Sequence, residues 1–109
     1  MTIVAERALD YFGAEGVSTG SLRVDAPKPD QNNWRCEFAV SWPGFERRHY
    51  TMGVDSYQAL LLALHSVGSE IAGSEDFKAG RIGVFGERIR TRRELKEIFG
   101  LHRLPGFDP

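Results

Sequence analysis

The chain has 109 residues, of which 41% are hydrophobic and 27% charged, and its formal net charge is −1. This composition is ordinary for a globular domain and excludes a disordered or low-complexity chain. The longest uninterrupted apolar run, residues 59–64, is far shorter than the roughly 20 residues of a membrane-spanning helix. No signal peptide is evident and Cys36 is the single cysteine, so we expect one cytoplasmic domain over residues 1–109.

Charge is distributed unevenly along the chain. Residues 1–77 contain six Lys/Arg against eleven Asp/Glu, a balance of −5, and residues 78–109 contain eight against four, a balance of +4. A basic C-terminal third can bind an anionic partner. Pairing with the acidic part of the same chain is the commoner reason for such a pattern.

The first third of the chain predicts short β-strands. Residues 2–12 fit either a strand or a helix, and we favour an edge strand. Residues 21–24 predict a second strand, which the two prolines that follow should end because proline has no N–H to donate. Residues 27–33 are then expected to form a polar loop.

The clearest strand covers residues 34–42, where apolar and polar side chains alternate without a break. A second strand should follow over residues 46–53. A two-residue turn would place Trp42 opposite Phe45, whereas a three-residue turn would bring Tyr50 and Met52 to the buried face. Because a slip of one residue exchanges the two faces, burial of apolar side chains favours the three-residue turn.

Residues 55–72 predict the core helix, and together with a β-sheet over residues 2–53 they form the body of the domain. Asp55 followed by Gln58 resembles a capping box, with Asp in place of Ser or Thr. An apolar stripe at steps of three and four residues predicts the face that packs on the sheet. Its members are Tyr57, Leu60, Leu61, Leu64, Val67, Gly68 and Ile71. Leu62 lies among polar residues on the opposite face, so it is a candidate contact for another segment or a partner.

One core should join this helix to the sheet. We expect it to contain Trp34, Cys36, Phe38, Val40, Tyr50, Met52, Leu60, Leu61 and Leu64.

Residues 80–109 predict a basic C-terminal extension with a short strand and a helix. The strand should lie within residues 82–85, and Thr91 with Glu94 forms a capping box before a second apolar stripe. That stripe consists of Leu95, Ile98 and Phe99, with Gly100 suited to the C-cap. Leu104 and Phe107 in the tail are expected to dock on the body.

The sequence contains no catalytic motif. Cys36 and His49 should lie on opposite faces of the sheet, which excludes a Cys–His dyad. His49, His65 and His102 lack the spacing of metal ligands, and no phosphate-binding loop is present. We therefore expect no catalytic residue, no metal and no cofactor.

A cluster of basic residues is the most specific candidate for a contact surface. It lies at the start of the second helix, where both positive charge and the helix dipole attract anions. The candidate partner- or anion-binding residues are Arg88, Arg90, Arg92, Arg93 and Lys96, together with Leu62. Interleaved glutamates and the lack of an aromatic platform among the arginines count against nucleic acid.

Residues 34–71 contain the strand Trp34-Arg35-Cys36, the turn Trp42-Pro43-Gly44 and the segment Gly53-Val54-Asp55-Ser56-Tyr57-Gln58-Ala59-Leu60, which Leu62-Ala63-Leu64 follows. Over this range the chain resembles a bacterial family of small uncharacterised domains. The resemblance implies an antiparallel sheet packed on one long helix and transfers no activity. The expected fold is thus α+β, with a β-meander of about four strands on one long helix and a short C-terminal strand and helix.

Two hypotheses of function follow. The first is a small non-enzymatic protein-binding module of regulatory, adaptor or toxin-immunity type, whose partner is another protein or a second copy of the chain. The alternative is a nucleic-acid or phosphate binder that uses residues 88–96. An enzyme is a distant third, and we expect no membrane partner.

Overall fold

The structure, a computed structural model, describes residues 2–99 and contains three helices and seven strands within them. The strands are β1 (Ile3–Gly13), β2 (Gly16–Asp25), β3 (Lys28–Asp30), β4 (Asn33–Trp42), β5 (Phe45–Gly53), β6 (Ile82–Val84) and β7 (Glu87–Arg88), and the helices are α1 (Ser56–Ala72), α2 (Glu75–Lys78) and α3 (Arg92–Phe99). The expectations for Gly100, His102, Leu104 and Phe107 lie outside the described residues.

All the strand pairs are antiparallel, in the order β5-β4-β2-β1-β6-β7, and β3 pairs with the end of β4 that β2 does not reach. The α+β class is confirmed, but the meander of about four strands is wrong. Residues 2–12 do form a strand. This strand is internal rather than an edge, because β1 pairs with β2 on one side and with β6 on the other.

Residues 27–33 are not the expected loop. Lys28–Asp30 forms β3, which turns back onto β4 through a tight turn in which Gln31 has a φ of 57°. Pro29 lies opposite Trp34. The strand tolerates this proline because β3 is an edge strand at that end of the sheet and one of its sides needs no donor.

The predicted register of β4 and β5 is wrong. The turn has two residues, Pro43 and Gly44, and it places Trp42 opposite Phe45. A Pro-Gly pair with a φ of +84° at the glycine fits a type II turn, which needs no third residue. Tyr50 and Met52 therefore lie on the open face, with 41% and 38% of their surface exposed, and not in the core.

Burial did not decide this register because α1 covers β5 at very short range. Thr51 Oγ1 donates a hydrogen bond of 2.8 Å to the carbonyl oxygen of Ala59. A Cβ on Gly53 would overlap the backbone nitrogen of Ala59 and lie 2.9 Å from its Cα. At Thr51 and Gly53 the helix thus leaves room only for small residues, and a large side chain at either position would hold it away.

Helix α1 begins as predicted. Asp55 is its N-cap, with Oδ1 accepting a 2.8 Å hydrogen bond from the backbone N–H of Gln58, and Gln58 Oε1 accepts one of 2.8 Å from the N–H of Val54. These two bonds satisfy donors that a helix start leaves free.

The buried face of α1 confirms the predicted stripe at Val67, Gly68 and Ile71 and differs from it in the first half of the helix. Its fully buried residues include Ala59, Ala63 and Ile71, while Leu60 and Leu64 pack at the side of the core. The assignment of Tyr57 to the core is wrong, since 70% of its surface is exposed. Leu61 is half-buried and lies outside the core cluster.

The C-terminal segments complete the core. Ser74 caps α2, a short helix that the sequence patterns did not predict. The predicted capping box of α3 is confirmed by a 3.1 Å hydrogen bond from the Glu94 N–H to Thr91 Oγ1. Leu95 is buried in the core and α3 contacts α1. The buried apolar residues are Leu9, Leu22, Val24, Cys36, Phe38, Val40, Trp42, Ala59, Ala63, Val67, Ile71, Ala72, Phe77, Ile82, Val84, Ile89 and Leu95.

The helices pack on one face of the sheet. Helix α1 bonds Thr51, and Asp76 of α2 accepts a 2.7 Å hydrogen bond from Trp42 Nε1. The carbonyl of Ile98 in α3 accepts one of 3.2 Å from Arg7, which shares this face through its pairing with Leu22. The opposite face carries no helix in the part of the chain described, and we call it the open face. Among residues 2–99, no helix has the length and apolar character to cross a membrane.

Candidate functional site

The turn between β6 and β7 is the most unusual feature of the surface. It consists of Phe85 and Gly86, whose φ angles are +55° and +84°. Phe85 is the most exposed of the large hydrophobic side chains described, at 85%. Tight hairpin turns with two positive φ angles normally take Asn, Asp or Gly, because a Cβ is disfavoured there.

The turn is held in place from β1. The backbone N–H of Gly86 donates a 2.7 Å hydrogen bond to Asp10 Oδ2. On the other side of the turn, the N–H of Ile89 donates to the carbonyl of Ile82 at 2.9 Å, and Ile89 is buried. Phe85 is therefore presented by a fixed hairpin, although its own side chain packs on very little.

Two arginines lie close to the aromatic rings at this end of the sheet. The guanidinium carbon of Arg7 lies 5.7 Å from the centre of the Phe85 ring, and that of Arg88 lies 4.8 Å from the centre of the Phe12 ring. Both distances are within the range of cation–π attraction.

A cleft of about 390 Å³ lies next to the turn. Its lining residues are Phe12, Gly86, Glu87, Arg88 and Arg90. We refer to Phe85 and these five residues as the hairpin site.

The structure brings together two of the residues predicted from the basic cluster. Arg88 and Arg90 line the cleft of the hairpin site, whereas Arg92, Arg93 and Lys96 belong to α3 and are not among its lining residues. Arg93 forms an exposed ion pair with Glu97 at 3.6 Å. The basic cluster is thus divided between two surfaces.

Leu62 does not join the hairpin site. It lies on α1, is half-buried, and is not among the residues that line the cleft.

Sequence reasoning missed the two aromatic members of the hairpin site. The sequence pattern predicts Phe85 at the end of a strand and not in a turn. Phe12 comes beside Arg88 only through strand pairing that spans more than 70 residues. A signal for Phe85 does exist in the sequence. A glycine directly after an aromatic residue, between two short strand-like segments, is compatible with a two-residue hairpin turn.

Cys36 and His49 do not form a catalytic pair, although the expected reason is wrong. The observed register puts both on the same face, because Phe38 lies opposite His49 and Cys36 lies opposite Thr51. Cys36 Sγ donates to the carbonyl of Asp25 at 3.3 Å. His49 Nδ1 accepts a 2.8 Å bond from the N–H of the next residue.

The Cys36 thiol is also poorly ionised. Its pKa is raised from 9.0 to about 11, mainly by burial and then by the nearby carboxylates of Asp25 and Glu37. A nucleophilic cysteine requires the opposite shift. Within residues 2–99, no group of three or more His, Cys, Asp or Glu side chains is placed to hold a metal ion.

Comparison with known proteins assigns the chain to a family. Residues 5–93 match the model of the family described as Domain of unknown function (DUF6968), and the chain belongs to that family. Searches of curated proteins and of solved structures find no match. The matched range includes the β6–β7 turn and all the strands apart from the first two residues of β1, and it ends within the first turn of α3.

Proposed function

We propose that this member of the DUF6968 family is a small non-enzymatic protein-binding module, of regulatory, adaptor or toxin-immunity type, and that Phe85 is its anchor residue. The exposure of Phe85 in a left-handed turn carries the proposal. A bulky residue in this conformation costs on the order of 1 kcal/mol or more. Folding gains little from the residue in return, whereas a partner with an apolar pocket would gain an aromatic contact.

The charges around Phe85 indicate the chemistry of the partner. Arg7 lies near the Phe85 ring, and Arg88 and Arg90 line the adjoining cleft, so basic side chains border this site. Arginine and aromatic residues are enriched where protein interfaces gain most of their affinity. The complementary surface on the partner protein is an apolar pocket bordered by carboxylates. A cytoplasmic location fits a domain with one buried cysteine.

The same site supports a protein partner better than nucleic acid. Successive bases stack on several free aromatic faces, and Arg88 covers the ring of Phe12, so the hairpin site offers a single exposed ring, that of Phe85. Glu87 lines the cleft and the Asp10 carboxylate accepts from Gly86, so negative charge lies beside the arginines. Phosphates would be repelled from these carboxylates.

Replacement of Phe85 by Asn separates binding from folding. Asn tolerates a positive φ, so Phe85→Asn should keep or raise the midpoint of thermal unfolding while it removes the aromatic anchor. We expect an immobilised full-length chain to capture a protein from lysate of the native host and the Phe85→Asn chain to lose it. Tyr57→Asn is the matched control, since Tyr57 is also an exposed aromatic residue but lies on α1.

Two results would overturn this proposal. One is capture of the same protein by wild type and Phe85→Asn, both folded. The other is capture of RNA or DNA by the wild type in a salt-dependent manner, which would support the alternative function for residues 88–96.

A further inference from the structure

A second site lies on the open face near β4 and β5, at the end of the sheet away from the hairpin site of β6 and β7. Arg23 pairs with Ala39, and Ala39 pairs with Arg48. These three residues form one row across β2, β4 and β5, with side chains on the open face. Adjacent strands are about 4.8 Å apart, so the backbones of Arg23 and Arg48 are separated by about two strand spacings. In this row, only the methyl group of Ala39 lies between the two arginine side chains.

Arg23 and Arg48 have N–H groups that are available to bind a ligand. Arg23 makes no hydrogen bond or ion pair with any residue in the described range, and Arg48 has an ion pair of 3.6 Å with Glu46 in which both side chains are more than 60% exposed. A pair that exposed contributes little. The nearby Arg35 is already committed, because its Nε donates to Glu37 at 3.0 Å and its guanidinium lies 3.6 Å from the centre of the Tyr50 ring.

A buried carboxylate lies in the neighbouring row. Asp25 is only 6% exposed, and its Oδ1 accepts no hydrogen bond from the residues described. Burial of a carboxylate oxygen without a hydrogen-bond donor costs free energy, so a ligand that donates a hydrogen bond to Asp25 would be stabilised. Asp25, Arg23 and Arg48 line the same cavity of about 230 Å³. Its other charged members, Arg35 and Glu37, pair with each other.

We propose that this cavity binds a small zwitterion, a carboxylate with an amino group a few ångströms away. Arg23 and Arg48 hold the carboxylate above Ala39, with the paired donors that arginine offers to carboxylates. Asp25 accepts from the amino group. Arg23 and Asp25 are two residues apart on β2, so their Cα atoms are about 7 Å apart. A ligand that reaches both side chains needs its carboxylate and its amino group within the length of an amino acid or a peptide terminus. The inference does not rest on Phe85 or on the proposed protein partner.

The test is an NMR titration of the full chain with four probes. Glycine and glycylglycine carry both groups and distinguish a free amino acid from a peptide, while acetate and methylammonium each carry one. We expect a zwitterionic probe to shift the amide resonance of Ala39 and the Nε–H resonances of Arg23 and Arg48. Acetate and methylammonium should each bind about tenfold more weakly or worse, which is the loss of one charge-assisted hydrogen bond.

Variants make the assignment specific. Arg23→Gln and Asp25→Asn should each weaken glycylglycine binding by about tenfold, and Arg92→Gln, an exposed change on α3, should leave it unchanged. Ala39→Leu fills the space between the two arginines and changes no charged residue, so it should also abolish binding. This variant replaces Asp25→Asn in the test if Asp25→Asn does not fold. Acetate that binds as tightly as glycylglycine, resonance shifts confined to other parts of the chain, or no shift with any probe would each overturn the inference.

Discussion

Glycine at position 53 shows how one residue sets the distance between two elements. Gly53 is buried at the end of β5, and the backbone of Ala59 in α1 occupies the space that a side chain would need. Its φ is not in the left-handed region, so the requirement is one of space and not of conformation. The glycine in the helix-start motif is thus explained by close packing of helix on strand.

Gly53→Ala should therefore destabilise the domain by about 1–3 kcal/mol, the usual cost of overpacking. The free energy of unfolding in urea measures this. Gly73→Ala is the matched control, because Gly73 is exposed at the C-cap of α1 with an ordinary φ of −82° and should change stability by less than about 0.5 kcal/mol. Equal losses in the two variants would contradict the close contact.

Cys36 makes a residue-level prediction about pH. Its raised pKa of about 11 means that the native state keeps a proton that the unfolded chain releases above pH 9. The thiol's contribution to stability is then complete below about pH 9 and is lost as the pH rises towards 11. Between these values, the wild type should lose more free energy of unfolding than Cys36→Ala, since other groups titrate equally in both. Parallel pH profiles would show that the thiol is not protected.

At the scale of elements, the orientation of α1 is the point at which pattern and structure disagree. The apolar stripe placed large leucines at the centre of the helix–sheet contact, but the contact is centred on Ala59 and Ala63. Small residues allow the helix axis to approach the sheet, and Leu60 and Leu64 fill the sides. The period of 3.6 located the helix correctly, but residue size decided its rotation.

This rotation is testable with two substitutions on α1. Ala63→Leu should cost about 1–3 kcal/mol because it forces the helix away from the sheet, and Tyr57→Ala should be close to neutral because the side chain is mostly exposed. Thermal or chemical unfolding of both variants measures the difference. The stripe expected from the sequence requires the reverse order.

At the scale of the whole molecule, the C-terminal segments belong to the core and not to an appendage. Ile89 and Leu95 are buried, and Arg7 of β1 donates to the carbonyl of Ile98 across most of the chain length. The side chains of Ile89 and Leu95 thus complete a hydrophobic core whose other buried residues in the described range belong to the first 87 residues.

Removal of residues 88–109 should consequently abolish cooperative unfolding or lower the midpoint strongly, with new apolar surface that binds a hydrophobic dye. The milder change Leu95→Ala should cost about 2–5 kcal/mol, as large-to-small changes in a core do. Circular dichroism on heating provides the measurement for both. A truncated chain as stable as the full one would mean that these segments serve an interface and not the fold.

Local patterns determined much of this protein. Alternation located β4, and the caps at Asp55 and Thr91 located the starts of α1 and α3, because each depends on residues within one strand or one helical turn. The basic character of the C-terminal third was also evident, and two of its arginines line the hairpin site.

Tertiary structure decided what depends on distances across the chain. The β4–β5 register followed turn geometry and the close approach of α1, which no period in the sequence encodes. The pairing of β1 with both β2 and β6 placed Phe12 beside Arg88 and made Phe85 the tip of a fixed hairpin. The row of Arg23, Ala39 and Arg48 likewise exists only once three strands are in register, because its members are far apart in sequence and carry no shared motif.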